Sequence, residues 1–232
     1  MKSHERRDKL PGPHPETRLL TTPRLVAIAL CAALNIAVGA VVYLLKLPIY
    51  LDSIGSILCA LLLAPDRLAG FVCAALAGLI SLLITFILVN PFLLWFEGTS
   101  VAIALVSVFL TARFAKTYRA HPLRIGWFAA AVLLSGIATG IVAAVASAPV
   151  VAYLFGGITG SGSALIVAFF LKAGQQLLNA ALLSGLAAEP VDKSLQVLLA
   201  ALLYRATPET FIIMLKSTDT DIDTTGARYP LR

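Results

Sequence analysis

The chain has 232 residues, of which 59% are hydrophobic and only 13% are charged, and its mean hydropathy is +0.91. Soluble domains carry roughly 25% charged residues, so the composition excludes an ordinary soluble protein and indicates an integral membrane protein. The formal net charge is +6. The basic residues lie mostly in predicted tails and loops, which favours a membrane topology signal over a nucleic-acid surface.

Apolar segments alternate with short polar connections between a basic tail, residues 1–24, and a polar C-terminal tail, residues 206–232. A span needs about 20 mostly apolar residues, so residues 25–205 predict an all-α integral membrane protein with six transmembrane helices. Residues 190–205 form either a helix at the membrane surface or a continuation of the last span. The predicted spans are residues 25–45, 53–64, 68–89, a fourth ending near 112, 125–147 and 163–187.

The second span is short for a full crossing. It begins after the loop that contains Pro48 and ends before the turn at residues 64–67. Three explanations remain open at this stage: a tilted helix, an extension through Tyr50 and Leu51, or a helix shielded from lipid by its neighbours.

Small residues recur every four positions in several spans. In the first span this spacing places Ala29, Ala33 and Ala37 on one face, where another helix can approach closely. That helix belongs either to the same chain or to a partner protein. Gly136 and Gly140 form a GxxxG pattern that predicts close helix packing in the fifth span.

The distribution of charge predicts the orientation. Sixteen of the eighteen Lys and Arg residues lie on the side of the N-terminus, including Lys193 in the C-terminal region. The opposite side has only Lys46, and Lys172 lies within a span. Because cytoplasmic segments carry the excess of Lys and Arg, we expect both termini to be cytoplasmic.

The predicted sixth span carries a polar stripe. A Lys at the centre of a bilayer costs about 2.5–3.5 kcal/mol on insertion scales, so such a residue usually faces a cavity, a partner or a substrate. The alternative is a structural ion pair of this Lys with Asp52 or Glu97. The stripe has the i, i+3, i+4, i+7 spacing of one helix face and consists of Lys172, Gln175, Gln176 and Asn179.

Three connections are predicted to face outward above this stripe, and together they form the lid of a candidate substrate site. Trp95 and Tyr153 can stack on a planar ligand, although each alone is more typical of an interfacial anchor. The sequence has no nucleophile–base pair and no metal-ligand spacing. We therefore expect a binder or carrier, without cofactor or metal, and not an enzyme. The connections supply Tyr50, Asp52, Asn90, Trp95, Glu97, Tyr153, Thr159, Ser161 and Ser163.

Two stretches carry a family resemblance: PIYLDSIGSIL at residues 48–58 and APVVAYLFGGITGSG at residues 148–162. With the alanine spacing of the first span, they resemble the substrate-binding S components of energy-coupling factor (ECF) transporters. The resemblance covers about residues 25–205. It implies a subunit of the prokaryotic plasma membrane that captures a vitamin or other micronutrient from outside.

The resemblance also implies partners. A transmembrane T component and two cytoplasmic ATPases would supply the energy, and Ala29, Ala33 and Ala37 would form the face that docks on the T component. Two other classes stay open. One is a membrane sensor or packing protein whose stripe is an internal polar network. The other is a stand-alone carrier, for which inverted repeats and broken helices are expected.

Overall fold

The computed structural model describes residues 19–64, 66–88, 91–119 and 125–216. These residues are helical, and no strand occurs among them. A 3₁₀ turn, Pro91–Phe96, precedes α4, and π-helical and 3₁₀ turns, Ser107–Thr111 and Ala112–Phe114, join α4 to α5. The α-helices are α1 (Thr22–Leu44), α2 (Ile54–Leu62), α3 (Arg67–Leu88), α4 (Glu97–Val106), α5 (Ala115–Arg119), α6 (Ile125–Tyr153), α7 (Ser163–Lys172), α8 (Leu177–Ala206) and α9 (Glu209–Lys216).

Four helical stretches are long and apolar enough to cross a membrane: Thr22–Leu44, Arg67–Leu88, Phe92–Arg119 and Ile125–Tyr153. The pair α8 and α9, bent by 99°, makes a fifth if it counts as one span. The all-α prediction is therefore confirmed for the described residues, and the length and composition of these helices fit a multi-pass membrane protein. The finer prediction of six spans is not confirmed, because α2 has 9 residues and α7 has 10.

The shortness of α2 is explained by its surroundings. Eight of its 9 residues are buried, and it packs against α1, α3 and α8. Ile57 and Leu61 have no exposed surface. A helix enclosed in this way is shielded from lipid by its neighbours and does not itself need the length of a full crossing.

One end of the helices is tied together by buried or partly buried arginine contacts. The Arg24 guanidinium donates to the Leu215 carbonyl oxygen at 3.0 Å and to Asp66 Oδ2 at 3.3 Å. Arg119 donates to the Thr207 carbonyl oxygen at 2.6 Å. The start of α1, the turn before α3 and the α8–α9 junction therefore lie at one end, which we call the terminal end.

The connections at the other end also meet, and we call this the loop end. The Gly162 N–H donates to the Leu47 carbonyl oxygen at 3.2 Å, and the rings of Phe96 and Phe155 are 5.5 Å apart. Lys46 and Lys172 belong to this end, while Arg67, Arg119 and Arg205 belong to the terminal end. Which end faces the cytoplasm stays a prediction.

The GxxxG prediction for α6 is confirmed, since the described structure brings this helix into backbone contact with α8. A Cβ added to Gly136 would overlap the Ser194 backbone, and one added to Gly140 would lie 2.5 Å from the Pro190 Cα. Pro190 lies inside α8 and does not end it. Residues 190–205 thus continue a long helix, and the alternative of a separate surface helix is wrong.

The predicted continuous helix over residues 163–187 is wrong. Residues 173–176 separate α7 from α8, and Gly174 has a φ of 87°, a conformation that favours glycine. The two helices form a hairpin, because Ser184 Oγ in α8 donates to the carbonyl oxygen of Ser163 at the start of α7. The long crossing helix is therefore α8, and α7 is a short arm beside its first turns.

Residues 209–216, which the sequence analysis assigned to the polar C-terminal tail, form α9. Its Ile212 and Leu215 are buried in the main hydrophobic core. The burial of these two large apolar side chains stabilises the packing of α9 against the core, because both leave water.

Candidate functional site

Apart from the single buried Arg24 of α1, the buried charged side chains of the described helices lie together on α8. Glu189, Asp192, Lys193 and Gln196 have relative exposures of 5%, 0%, 2% and 0%. Their spacing of i, i+3, i+4 and i+7 places them on one helix face, and we call them the α8 cluster. Lys193 lies 13 residues before Ala206, the end of α8, which is about 20 Å at 1.5 Å per residue. The cluster is therefore near the middle of the helix.

Asp192 is fully satisfied by hydrogen bonds. Its Oδ1 accepts from the backbone N–H groups of Tyr50 and Leu51, both at 3.0 Å. Its Oδ2 accepts from Lys193 Nζ at 2.6 Å and from Gln196 Nε2 at 2.8 Å. A buried carboxylate is tolerated when its lone pairs are used in this way.

Gln196 extends the same connection. Its Oε1 accepts from the Ser53 N–H at 3.0 Å, just before α2 begins. The α8 cluster therefore binds three backbone N–H groups of the α1–α2 loop, at Tyr50, Leu51 and Ser53. This loop, which carries the first stretch of the family resemblance, is fixed on the middle of α8.

Lys193 lies among three carboxylates. Its Nζ is 2.6 Å from Asp192 Oδ2, 3.3 Å from Glu189 Oε2 and 3.6 Å from Asp52 Oδ1. The Asp52 side chain is 52% exposed, whereas the other two carboxylates are buried. Removing an ammonium from water costs several kcal/mol unless charges compensate it. Here the compensation exceeds one charge, because three carboxylates face one ammonium.

Glu189 has fewer partners than Asp192. Its Oε2 forms an ion pair with Lys193 Nζ at 3.3 Å and accepts no hydrogen bond from any other described residue. Glu189 lines a narrow cavity of about 10 Å³ together with Tyr50, Ser163 and Ser184. A volume of about 10–15 Å³ is the minimum for one water molecule. The cavity is thus close to water-sized, and both polar and apolar residues line it.

Hydroxyl groups connect this cavity to the glycine-rich connection before α7. The Tyr50 hydroxyl is 2.7 Å from Ser163 Oγ, which is 2.8 Å from Ser161 Oγ. Ser161 Oγ is in turn 2.8 Å from Thr159 Oγ1. The network joins the α1–α2 loop to the second stretch of the family resemblance, so both stretches meet beside the α8 cluster.

The polar stripe of the sequence analysis does not form one face. Lys172 is exposed at the end of α7, Gln175 and Gln176 are exposed in the turn, and Asn179 is exposed on α8. Among the described residues Lys172 has no ion pair, and the carboxylate of Asp52 faces Lys193 instead. The one-helix geometry is wrong because the chain reverses at residues 173–176, whereas a role of these side chains in binding stays a prediction.

Of the residues that the three connections were predicted to supply, Tyr50 and Ser163 line the cavity, and the other described ones do not. Trp95 and Tyr153 are 61% and 73% exposed, as expected for interfacial anchors. Glu97 is half-buried at the start of α4, and its Oε2 has no hydrogen-bond partner in the described part of the chain. Asn90 lies outside the described residues. Of the predicted set, Asp52 contacts Lys193 and the Tyr50 N–H binds Asp192.

The alanine ridge of α1 faces outward. Ala29, Ala33 and Ala37 are exposed, whereas the opposite face of α1 buries Ile28 and Cys31. In the described structure the ridge therefore does not pack against another helix of the chain. A docking role for the ridge stays a prediction.

Sequence reasoning missed all four residues of the α8 cluster as site residues: Glu189, Asp192, Lys193 and Gln196. Lys193 had been counted with the basic residues of the C-terminal side, yet it is buried within α8. The signal was present, because the α8 cluster repeats the spacing of the predicted stripe.

No group of three or more His, Cys, Asp or Glu side chains within residues 19–216, apart from the gaps given above, is arranged to hold a metal ion. In comparisons with known proteins, no protein family, no curated protein and no solved structure matches the chain. The function is therefore inferred from the site itself and from the resemblance of the two stretches.

Proposed function

We propose that the protein is the membrane substrate-binding S component of an ECF-type importer. It captures a vitamin or another small micronutrient from outside a prokaryotic cell and is energised by a T component and ATPases. One observation carries the proposal: residues 48–58 and 148–162, which bear the resemblance, meet at one buried polar site. Gly162 bonds to Leu47, and Tyr50 bonds to Ser163, the residue after the second stretch.

The surface of α1 supports the partner in this proposal. A ridge of exposed alanines lets a second transmembrane helix approach closely, and lipid-facing helices associate through such small residues. No described helix of the chain packs on this ridge, so a partner helix is the occupant that we propose. The T component supplies the missing helix.

The test is ATP-driven transport. The tagged protein is purified with its partners from membranes of its own host, and the small molecules that co-purify are identified by mass spectrometry. The purified complex is then reconstituted into liposomes, and uptake of one such molecule from the outside is measured. We expect accumulation that requires ATP and the co-purified ATPase. Accumulation by the chain alone, without ATP, would identify a stand-alone carrier instead.

A second candidate, a membrane sensor or packing protein, is favoured by a different observation. Asp192 is fully satisfied within the protein, and the cavity of about 10 Å³ is far smaller than the roughly 300–1,000 Å³ of ligand pockets. Under this reading the α8 cluster is an internal network. The protein then yields no enriched small molecule and no ATP-dependent uptake in the experiment above.

A further inference from the structure

We propose that Glu189 is a recognition residue for a positively charged nitrogen, so that the substrate is a small organic ammonium compound. The inference rests on the proposed function, because that function supplies the substrate. It assigns a ligand class to the site and a role to a residue outside both stretches of the family resemblance.

The first argument is charge. The buried carboxylates of Glu189 and Asp192 and the half-exposed one of Asp52 share the single ammonium of Lys193. The ammonium lies closest to Asp192, at 2.6 Å. Its attraction to Glu189, at 3.3 Å, is therefore weaker than its attraction to Asp192. The excess of carboxylates over ammonium groups attracts a second cation to Glu189 and repels an anion.

The second argument is hydrogen bonding. Glu189 Oε2 is buried, and apart from its ion pair with Lys193 it accepts no hydrogen bond from a described residue. Its remaining acceptor capacity is therefore unused, which costs free energy for a buried group. The cavity beside it is lined by the hydroxyl-bearing residues Tyr50, Ser147, Ser163 and Ser184 and by apolar residues. An ammonium has several N–H donors and no acceptor. A small organic ammonium therefore matches a wall in which one carboxylate and several hydroxyl groups lie among apolar side chains.

The third argument is access. One wall of the cavity is α7, through Ser163 and Val167, which are the only buried residues of that helix. Gly160 and Gly174, with φ values of 77° and 87°, flank α7 on either side. A displacement of this thinly packed arm enlarges the cavity without breaking the bonds between Asp192 and the α1–α2 loop.

The test uses three small probes on the purified full-length protein: ethylammonium chloride, ethanol and sodium acetate, at equal concentration and constant ionic strength. The melting temperature is titrated to obtain an apparent Kd for each probe, since a ligand that binds the native state raises it. We expect stabilisation by ethylammonium alone. Equal stabilisation by ethanol or acetate, or by sodium chloride in place of ethylammonium, overturns the proposal without any variant.

Glu189→Gln keeps the size of the side chain and removes its charge. Because a hydrogen bond to a charged group is worth roughly 1.5–3 kcal/mol, we expect ethylammonium binding to weaken by about 10- to 150-fold. The matched control is Glu209→Gln, since Glu209 is 83% exposed at the terminal end. It should bind the probe like the wild type. Unchanged ethylammonium binding in Glu189→Gln contradicts the proposal.

These outcomes are separate from the test of the proposed function. Suppose that the protein binds ethylammonium selectively through Glu189 but shows no ATP-driven uptake. This result contradicts the importer proposal and supports the ammonium site. ATP-driven uptake of an anionic or uncharged compound supports the importer and contradicts the ammonium site.

Discussion

Asp192 and Leu51 are 141 residues apart in the chain, and a hydrogen bond of 3.0 Å joins the Leu51 N–H to Asp192 Oδ1. Leu51 has a φ of 50°, a left-handed conformation that costs a non-glycine residue about 1–2 kcal/mol. The bond compensates part of this cost. A buried charge on α8 thus sets the path of the loop that leads into α2.

We expect Asp192→Asn to lower the melting temperature clearly. The amide keeps one acceptor for the loop but places N–H donors against Lys193 and Gln196, and the loss of one charge-assisted hydrogen bond costs about 1.5–3 kcal/mol. Thermal unfolding in detergent measures the effect, with Glu209→Gln as an exposed control. A variant as stable as the wild type would show that the network around Asp192 contributes little.

The contact between α6 and α8 predicts opposite effects for two glycines. Gly140→Ala should destabilise the protein by about 1–3 kcal/mol, because the added methyl group overlaps the Pro190 backbone and overpacking has that cost. Gly98→Ala, which meets no atom within 4 Å, should be neutral or stabilising by up to about 1 kcal/mol. Comparison of the two melting temperatures checks this, and a harmless Gly140→Ala contradicts the close packing.

The alanine ridge predicts a separation of binding from transport. Ala33→Leu adds bulk to an exposed ridge, so we expect normal ligand binding by the isolated protein and loss of ATP-driven uptake. Ala130→Leu is the control, since Ala130 is an exposed alanine on α6. If Ala33→Leu transports normally, or if the control fails equally, the ridge is not the docking face.

The charge distribution predicts the orientation of the two ends. Gly98 and Gly126 are both exposed and both leave open space for a side chain, at the loop end and the terminal end respectively. In intact cells we expect an impermeant thiol reagent to label Gly98→Cys and not Gly126→Cys. The native Cys31, Cys59 and Cys73 are buried, and the unmodified protein is the control. The reverse labelling pattern inverts the topology.

The exposed position of Lys172 lowers the effect expected from its removal. Charge interactions at a solvent-exposed site contribute about 0.2–1 kcal/mol, so Lys172→Met should change ligand binding by less than about sixfold. Calorimetric titration of the co-purified ligand measures this. A loss larger than that of Glu189→Gln would place the main charged contact on α7 and return the site to the predicted stripe.

The helical class and the apolar segments could be predicted from the sequence because they depend on composition and on runs of apolar residues. The GxxxG contact at Gly136 and Gly140 was also predictable, since close packing requires small residues wherever the partner lies. The exposure of Ala33 was not, because the same spacing serves an internal or an external partner. Only the arrangement of the other helices distinguishes the two.

The site was misplaced for a physical reason that concerns two short segments. Residues 163–187 are apolar enough to continue as one helix, and a single glycine inside such a run costs only about 1 kcal/mol. The structure uses Gly174 for a reversal instead. Residues 189–196 contain three charges and a proline, and the sequence left open whether this region is a surface helix or a continuation of the last span. Their burial depends on Tyr50, Leu51 and Ser53, which no local pattern connects to them.

The backbone contact of Gly136 and Gly140 with α8 has a consequence for the electric field at the site. Lipid chains and water are kept from the α6 side of residues 190–194, so that flank of the charges has little dielectric screening, and electrostatic interactions there are stronger than at a surface. The other neighbours of the charges are the α1–α2 loop, which binds Asp192 and Gln196, and the start of the short α7, which lines the cavity beside Glu189. The contact with α6 therefore keeps the electrostatic interactions of the α8 cluster strong. Under our proposal, a displacement of α7 controls the access of a solute to these charges.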